Sequence, residues 1–572
     1  MPDNSRGQSL SQAATVGLSA LAMFFFAFMI YPVLRVVVGA LSPGGRFTLA
    51  FWRYRLEFFE VVVRNPVLRE SIVNSFKLGI TTTLVTLAVS LPLAYVLTRV
   101  RFAGRRWLSS LVLIPMVMPP FVGAIGMRHL LARFGSVNLL LMNLGLIHAP
   151  IRWLASGFAG VVVLQVLHLY PIMYLNLSSA LANVDPSLEE AARNLGASSW
   201  KRFRRVTLPL TMPGVFAGCS IVFIWSFTDL GTPLIFGYQK LVPIQIFNKI
   251  SEGGVDPTGY ALVALVLLLT LVTFLLTKRL FSAGRYEMMP RGYVSGEETA
   301  AGTLGTVAAH LCIGVLLVLA LLPHVSVVLR SVADRWFMTV LPEKLTGEYF
   351  AALGKHKLTI SSIRNSLFYA SVSSILDVGL GVAIAYYLVR KQIRGRSLLD
   401  AMAMLPLALP GLVLAFGYVV AFPRGSLLDP FANPVALLII AYSIRRLPFI
   451  VRAAYAGFQQ VSPAYEEASY NLGAGWTQTL RRITVPLISA NLIAGAVMCF
   501  AFAMLEVSAS LVLALKQRFF PITKTIYFLF NRIGDGPSMA SALGVVGMVL
   551  LVASILVSAR LMGKRLGALF RM

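Results

Sequence analysis

The sequence predicts an all-α polytopic membrane protein made of two homologous six-helix halves in parallel orientation. Three observations carry that reading. Of 572 residues, 57% are hydrophobic and 13% charged, at a mean hydropathy of +0.77, more apolar surface than a soluble chain can hide from water. Windows of about 20 mostly apolar residues, the length a helix needs to cross a hydrocarbon core, recur down the whole chain. One hydrophilic stretch occurs twice, PSLEEAARNLGASSWKRFRRVTLPL from Pro186 to Leu210 and PAYEEASYNLGAGWTQTLRRITVPL from Pro463 to Leu487.

In the first half the windows run Val16–Ala40, Ile72–Leu97, Leu108–Leu131, Phe158–Ala180, Pro213–Leu234 and Tyr260–Leu280. The second half repeats the set at Leu304–Leu329, Ser366–Leu388, Leu398–Ala421, Val435–Phe458, Asn491–Leu513 and Ala540–Leu561. Arg6 is the one basic residue before the first window. That window is longer than the apolar core of a signal peptide and lacks a convincing cleavage site, so it reads as a span. Pro115, Pro119 and Pro120 in the third window, with Pro406 and Pro410 in the ninth, free or break backbone hydrogen bonds. Lipid tolerates this where the freed groups face protein or a watery cavity, and a static kink and a gating hinge explain them equally well.

The formal net charge of +27 would suggest nucleic acid in a soluble protein. Topology gives the plainer account, because Lys and Arg gather in cytoplasmic loops, so no nucleic-acid partner is expected. Arg99, Arg101, Arg105 and Arg106 follow the second window; Arg390, Lys391, Arg394 and Arg396 follow the eighth. Lys278, Arg279, Arg285 and Arg291 lie between the halves, and Arg560, Lys564, Arg565 and Arg571 close the chain. If each window spans once, all of these and both repeated loops share one side, which is assigned to the cytoplasm with both termini. The loop from Leu41 to Glu70, with Arg46, Arg53, Arg55, Arg64 and Arg69, would be outside. Cys219, Cys312 and Cys499 fall in apolar windows without metal-like spacing, which excludes a disulfide framework or zinc site.

The two hydrophilic copies match residue by residue. Glu189, Glu190 and Ala191 correspond to Glu466, Glu467 and Ala468; Asn194-Leu195-Gly196-Ala197 to Asn471-Leu472-Gly473-Ala474; Arg204-Arg205 to Arg481-Arg482. Amphipathic periodicity alone would not place identical carboxylates and an identical glycine at one spacing, so the chain is internally duplicated. The duplication extends outward, since Asn74-Ser75 matches Asn365-Ser366, and Pro115 and Pro119 match Pro406 and Pro410. There the offset is 406 − 115 = 291, but Pro171 against Pro448 gives 277, and the missing 14 residues lie in an outer loop, longer at Ala132–Gly157 than at Phe422–Pro434.

Glu-Ala-Ala, three residues, Gly, then a basic stretch ending in Leu-Pro resembles the cytoplasmic loop of the permease subunits of binding-protein-dependent ABC importers. The second copy departs from that pattern at Ser469, a small change from Ala. The resemblance implies a type I ABC importer permease fold, with residues 1–281 and 304–572 as fused permease halves and 282–303 as a cytoplasmic linker. It implies a multi-pass inner-membrane location and alternating access, with a periplasmic solute-binding protein outside and two ABC ATPase subunits inside. ATP and magnesium would belong to those subunits, and this chain would carry no cofactor and do no catalysis. The fused halves and the segments TDLGTPLIFG and LEVSASLVL look most like ferric-iron permeases; phosphonate, sugar-phosphate and polyamine permeases look much the same.

Read locally, each repeated loop begins with a proline suited to a first helical turn and acids that complement its dipole. Gly196 and Gly473 allow a left-handed turn or the close approach of another backbone. A solvated linker is the bland reading; ATPase docking through Glu189, Glu190, Ala191, Gly196, Arg204, Glu466, Glu467, Ala468, Gly473 and Arg481 is the functional one. No Gly-rich loop ending in Gly-Lys-Ser/Thr occurs, and the six histidines, His129, His148, His168, His310, His324 and His356, are scattered.

Ionisable residues within spans are costly and point to function. Asp229 and Glu506 occupy equivalent positions, 506 − 229 = 277, and either line a translocation path or pair with a neighbouring helix. Arg445 and Arg446 replace His168 and Leu169 of the first half, and could meet Glu506 or face an anionic solute. Arg128 and His129 serve an outer vestibule or snorkel to headgroups. A secondary transporter driven by an ion gradient, using the two buried acids as proton sites, is the rival; it gives no reason for the doubled loop.

Overall fold

The computed structural model describes residues 16–42, 56–154, 157–251, 257–282, 299–391 and 395–562. Arg6, Arg46, Arg53, Arg55, Arg285, Arg291, Arg394, Lys564, Arg565, Arg571 and most of the linker lie outside the described residues.

Each predicted window falls on a helix or a pair of helices. In chain order the first half contains α1 (Val16–Leu41), α2 (Glu57–Arg64), α3 (Pro66–Arg99), α4 (Arg105–Val117), α5 (Pro120–Leu130) and α6 (Ser136–Asn143). There follow α7 (Phe158–Ala182), α8 (Pro186–Asn194), α9 (Ser199–Thr228), α10 (Gly231–Phe236), α11 (Val242–Ser251) and α12 (Pro257–Ser282). The second half begins with α13 (Thr303–Val332), α14 (Glu348–Lys355), α15 (Lys357–Arg390), α16 (Arg396–Leu407), α17 (Gly411–Ala421) and α18 (Val435–Gln460). It ends with α19 (Ala464–Asn471), α20 (Trp476–Leu487), α21 (Ser489–Met504), α22 (Ser508–Leu513), α23 (Ile522–Phe530) and α24 (Gly536–Met562). One exception to the all-α expectation is a two-residue parallel pairing, β1 (Val100–Arg101) with β2 (Thr299–Ala300).

Several windows are not straight rods. At the prolines α4 and α5 meet at 90°, and α16 and α17 at 102°. A proline pushes the residue before it into extended backbone, as at Met118 (ψ 137°), and then suits a first helical turn, as Pro120 does. The bent pair still runs the length of α13: Phe102, just before it, meets His310 edge-on near the start of α13, while His129 near its end meets Arg330 near the end of α13. The fifth and eleventh windows break at Asp229 and Glu506, so α10 and α22 are separate short helices. The 14-residue excess of the first outer loop accommodates α6, where Asn138 bridges the carbonyls of Ala132, Arg133 and Ile151.

The halves exchange their first helices. An added Cβ at Gly126 of α5 would sit 1.9 Å from the Pro323 carbonyl oxygen on α13, and one at Gly417 of α17 would sit 3.0 Å from Pro32 on α1. Both pairs obey the same offset, 417 − 126 = 291 and 323 − 32 = 291. Tyr418 adds a hydrogen bond of 2.8 Å to the Phe28 carbonyl. Away from the repeated loops α11 and α23 touch between the halves, with the Lys524 ammonium 5.6 Å from the Phe247 ring centre. The repeated Asn-Ser pair does one job in both halves. Asn74 donates to the Lys240 carbonyl and Ser75 accepts from Val242 N; Asn365 donates to the Arg518 carbonyl and Ser366 accepts from Ile522 N.

Candidate functional site: two exposed loops and one mid-layer cavity

The two repeated loops fold alike, on the membrane face opposite α11 and α23. In each, a short helix ends at a left-handed glycine, Gly196 at φ +77° and Gly473 at φ +84°. The paired capping bonds are Ala197 N to Ala192 O with Gly196 N to Arg193 O, and Ala474 N to Ser469 O with Gly473 N to Tyr470 O. Of the two expected uses of these glycines, this chain shows the turn; no atom approaches the position of an added Cβ within 4 Å. A π-helical turn then follows in each copy, Phe203–Thr207 and Leu480–Thr484, leading into Pro209 and Pro486.

The acids of each loop divide their labour. Glu189 accepts from Thr207 Oγ1 at 2.6 Å and lies 3.7 Å from Arg99; Glu466 accepts from Thr484 Oγ1 at 3.1 Å and pairs with Arg390 at 3.1 Å. These contacts bind the short helix to the ends of α3 and α15, an additional role beyond the expected dipole effect. Glu190, Ala191, Gly196, Arg204, Glu467, Ala468, Gly473 and Arg481 stay exposed. Sequence reasoning passed over Leu195 and Leu472, which are 88% and 89% exposed beside the glycines; their signal was an apolar residue held in both copies of a hydrophilic loop. A surface groove of about 490 Å³ lies against the second loop, lined by Tyr465, Ala468, Leu472, Gly473 and Arg482. The Tyr470 phenol nearby is pushed up from its ordinary pKa, first by its partial burial and then by Glu466.

The second locus is a cavity of about 150 Å³ between the halves, and it gathers Asp229, Glu506, Arg445, Arg446 and His168. Asp229 ends α9 in extended backbone and caps α10, its Oδ1 accepting from Gly231 N at 3.0 Å and Thr232 N at 3.4 Å. Its Oδ2 accepts from Gln165 Nε2 at 3.1 Å, and Gln165 Oε1 in turn accepts from Thr82 and Ser226. Glu506 holds the matching break, accepting from Ala509 N at 3.3 Å. It also takes both guanidiniums, Arg445 Nη1 at 2.6 Å and Arg446 Nη2 at 2.7 Å. Gly411 makes room for this: a Cβ there would lie 2.2 Å from Arg445 Nη1.

His168 bonds the Pro115 carbonyl at 3.1 Å. That oxygen sits four residues before Pro119, so proline removes its usual helical donor and the imidazole replaces it. Arg128 bonds the Ile235 carbonyl and stacks on Phe530 at 5.2 Å, while His129 meets Arg330 at 2.9 Å. Both are thus occupied by protein partners. Sequence reasoning also missed Gln165 and Asp377. Asp377 is wholly buried beside Arg446, and an acid inside the eighth window was the signal.

A family model described as binding-protein-dependent transport system inner membrane component matches residues 89–283 and again 377–568. The chain is 30% identical over 501 residues to the putative ferric transport system permease protein FbpB 1 of Haemophilus influenzae, covering 86% of this chain and 76% of that protein. It is 29% identical over 547 residues to the ferric transport system permease protein FbpB of Actinobacillus pleuropneumoniae, covering 94% and 77%. Over 160 residues it is 37% identical to the spermidine/putrescine permease PotB of Haemophilus influenzae, covering 28% and 56%.

Proposed function

Since the chain belongs to the binding-protein-dependent inner membrane components, as a multi-pass, fused permease of an ABC importer, we propose that it moves ferric iron through the mid-layer cavity. The cargo rests on one observation: similarity to two ferric permeases along nearly the whole chain, where the polyamine permease matches a shorter stretch.

The cavity chemistry supports this reading. Asp229 and Glu506 bring one carboxylate from each half, and carboxylate oxygens suit hard cations. Among the described residues no three His, Cys, Asp or Glu side chains form a metal-holding group. Glu506 is held by Arg445 and Arg446, so a passing cation binds it only by displacing them and is readily released, as conduction requires.

The exposed loops serve as the grip for two copies of an ATPase subunit, which supply ATP and magnesium. Leu195 and Leu472 enter that subunit's groove, and the exposed acids and arginines set the register. A solute-loaded binding protein docks on the outer face, and both termini lie in the cytoplasm. Closure of the ATPases on ATP then reaches α3 and α15 through Glu189–Arg99 and Glu466–Arg390.

The test of docking is Gly196→Asp with Gly473→Asp. A side chain at φ near +80° is strained and a new acid enters the contact, so ATPase co-purification should be lost while the permease remains in the membrane. Retained association would refute the docking role. Reconstitution with ATPase and binding protein tests cargo: ATP-dependent uptake of ferric ion is expected, and uptake of a polyamine or phosphonate instead would reassign it. Uptake driven by an ion gradient without any ATPase would favour the rival mechanism.

A further inference from the structure

Beside the cavity, two buried neighbours each keep an unmatched atom. Asp377 on α15 is 0% exposed; its Oδ1 accepts from Ser443 Oγ at 2.5 Å and the Cys499 thiol interacts with the carboxyl, but no hydrogen bond of ordinary geometry reaches its Oδ2. Arg446 on α18 uses Nη2 on Glu506, while its Nε, also buried, has none. The two side chains interact electrostatically but are not in ion-pair contact. Ser443 and Arg446 are three residues apart on one helix and so share a face. The serine thereby holds Asp377 on the side of α18 from which Arg446 projects. One unsatisfied acceptor, Asp377 Oδ2, thus lies on the same side of α18 as a guanidinium that keeps its own Nε unsatisfied and whose present partner, Glu506, lines the cavity.

A cationic solute taking Glu506 would strip Arg445 and Arg446 of their anion in a low-dielectric layer, and an uncompensated buried charge is strongly unfavourable. We propose that Asp377 is a positioning residue for transport: it receives Arg446 when the cation takes Glu506, keeping that arginine paired throughout passage. This rests on the reading of the cavity as the path. Arg446 then alternates between two carboxylates, Glu506 in the empty cavity and Asp377 in the loaded one. The first half has no such device, for Thr86 stands at the equivalent of Asp377 (377 − 291 = 86) and Leu169 at that of Arg446. There Asp229 is already held by neutral groups, Gln165 and two backbone amides, and has no guanidinium to displace.

Asp377→Asn tests this in proteoliposomes holding the permease, its ATPase and ferric-loaded binding protein. The readout is ferric ion delivered per ATP hydrolysed. It should fall at least tenfold in D377N and return to within threefold of the parent in Asp377→Glu, because a carboxylate and not mere volume is required. A ratio for D377N within twofold of the parent overturns the proposal. So does a D377N defect confined to a lowered melting temperature with transport per folded complex unchanged, which is what a purely structural acid gives. Should D377N fail to assemble, Ser443→Ala carries the same test: releasing Asp377 should lower the ratio at least threefold, and an unchanged ratio refutes the proposal. Glu506→Gln separates the two levels. Normal transport in E506Q refutes the cavity as path, whereas impaired E506Q with normal D377N refutes only the role of Asp377.

Discussion

At the residue scale the cavity depends on one amide. Gln165 serves Thr82, Ser226 and Asp229 at once, and the side chain is buried. Gln165→Leu strands three polar groups, and each buried unsatisfied group costs about 1–3 kcal/mol. Its melting temperature in detergent should therefore fall, and an unchanged value would refute the bridging role of the amide. The sequence singled out the loop acids but treated Glu189 and Glu190 alike. Adjacent residues on a helix point about 100° apart, and which of them turns inward depends on where the end of α3 lies. That is a tertiary fact with no trace in the repeat itself. Asp229 and Glu506 were legible because a charge in an apolar window is conspicuous, while Gln165, polar but uncharged, was not.

At the element scale hydropathy located the spans but not their breaks. A window average registers composition and is blind to backbone continuity, so Pro213–Leu234 looked like one span although Asp229 ends one helix and caps the next. The local signal was an acid followed by Gly-Thr-Pro, which suits a new helical start. The prolines of the third and ninth windows did announce breaks, and the structure makes them near right angles. Glycine packing at the crossed helices gives a test at this scale. At Gly126 an added methyl overlaps a backbone carbonyl, which cannot swing aside; at Gly417 the nearest atom is 3.0 Å away, a tight contact that a shift of a few tenths of an ångström relieves. Overpacking of this kind costs about 1–3 kcal/mol. Gly126→Ala should lower the melting temperature clearly and Gly417→Ala by markedly less; equal effects would mean that the Gly126 contact relaxes freely.

At the scale of the whole molecule, the duplication and its two offsets were readable because matched residues are matched wherever they fold. The exchange of first helices was not, since a contact between halves leaves no mark on hydropathy, even though Pro32 and Pro323 obey the 291-residue offset. Each half is completed by a helix of the other. A chain divided in the linker and expressed as two polypeptides should therefore yield both pieces together in one complex, and either piece alone should be degraded. Accumulation of a lone, folded half would refute the exchange. The two pieces are also chemically unlike where they meet. Paired with its own kind, the first would surround the cavity with two aspartates and two histidines, and the second would crowd four guanidiniums into it. Because one message encodes both, every finished transporter receives one of each, and the cell needs no means of sorting right pairs from wrong ones.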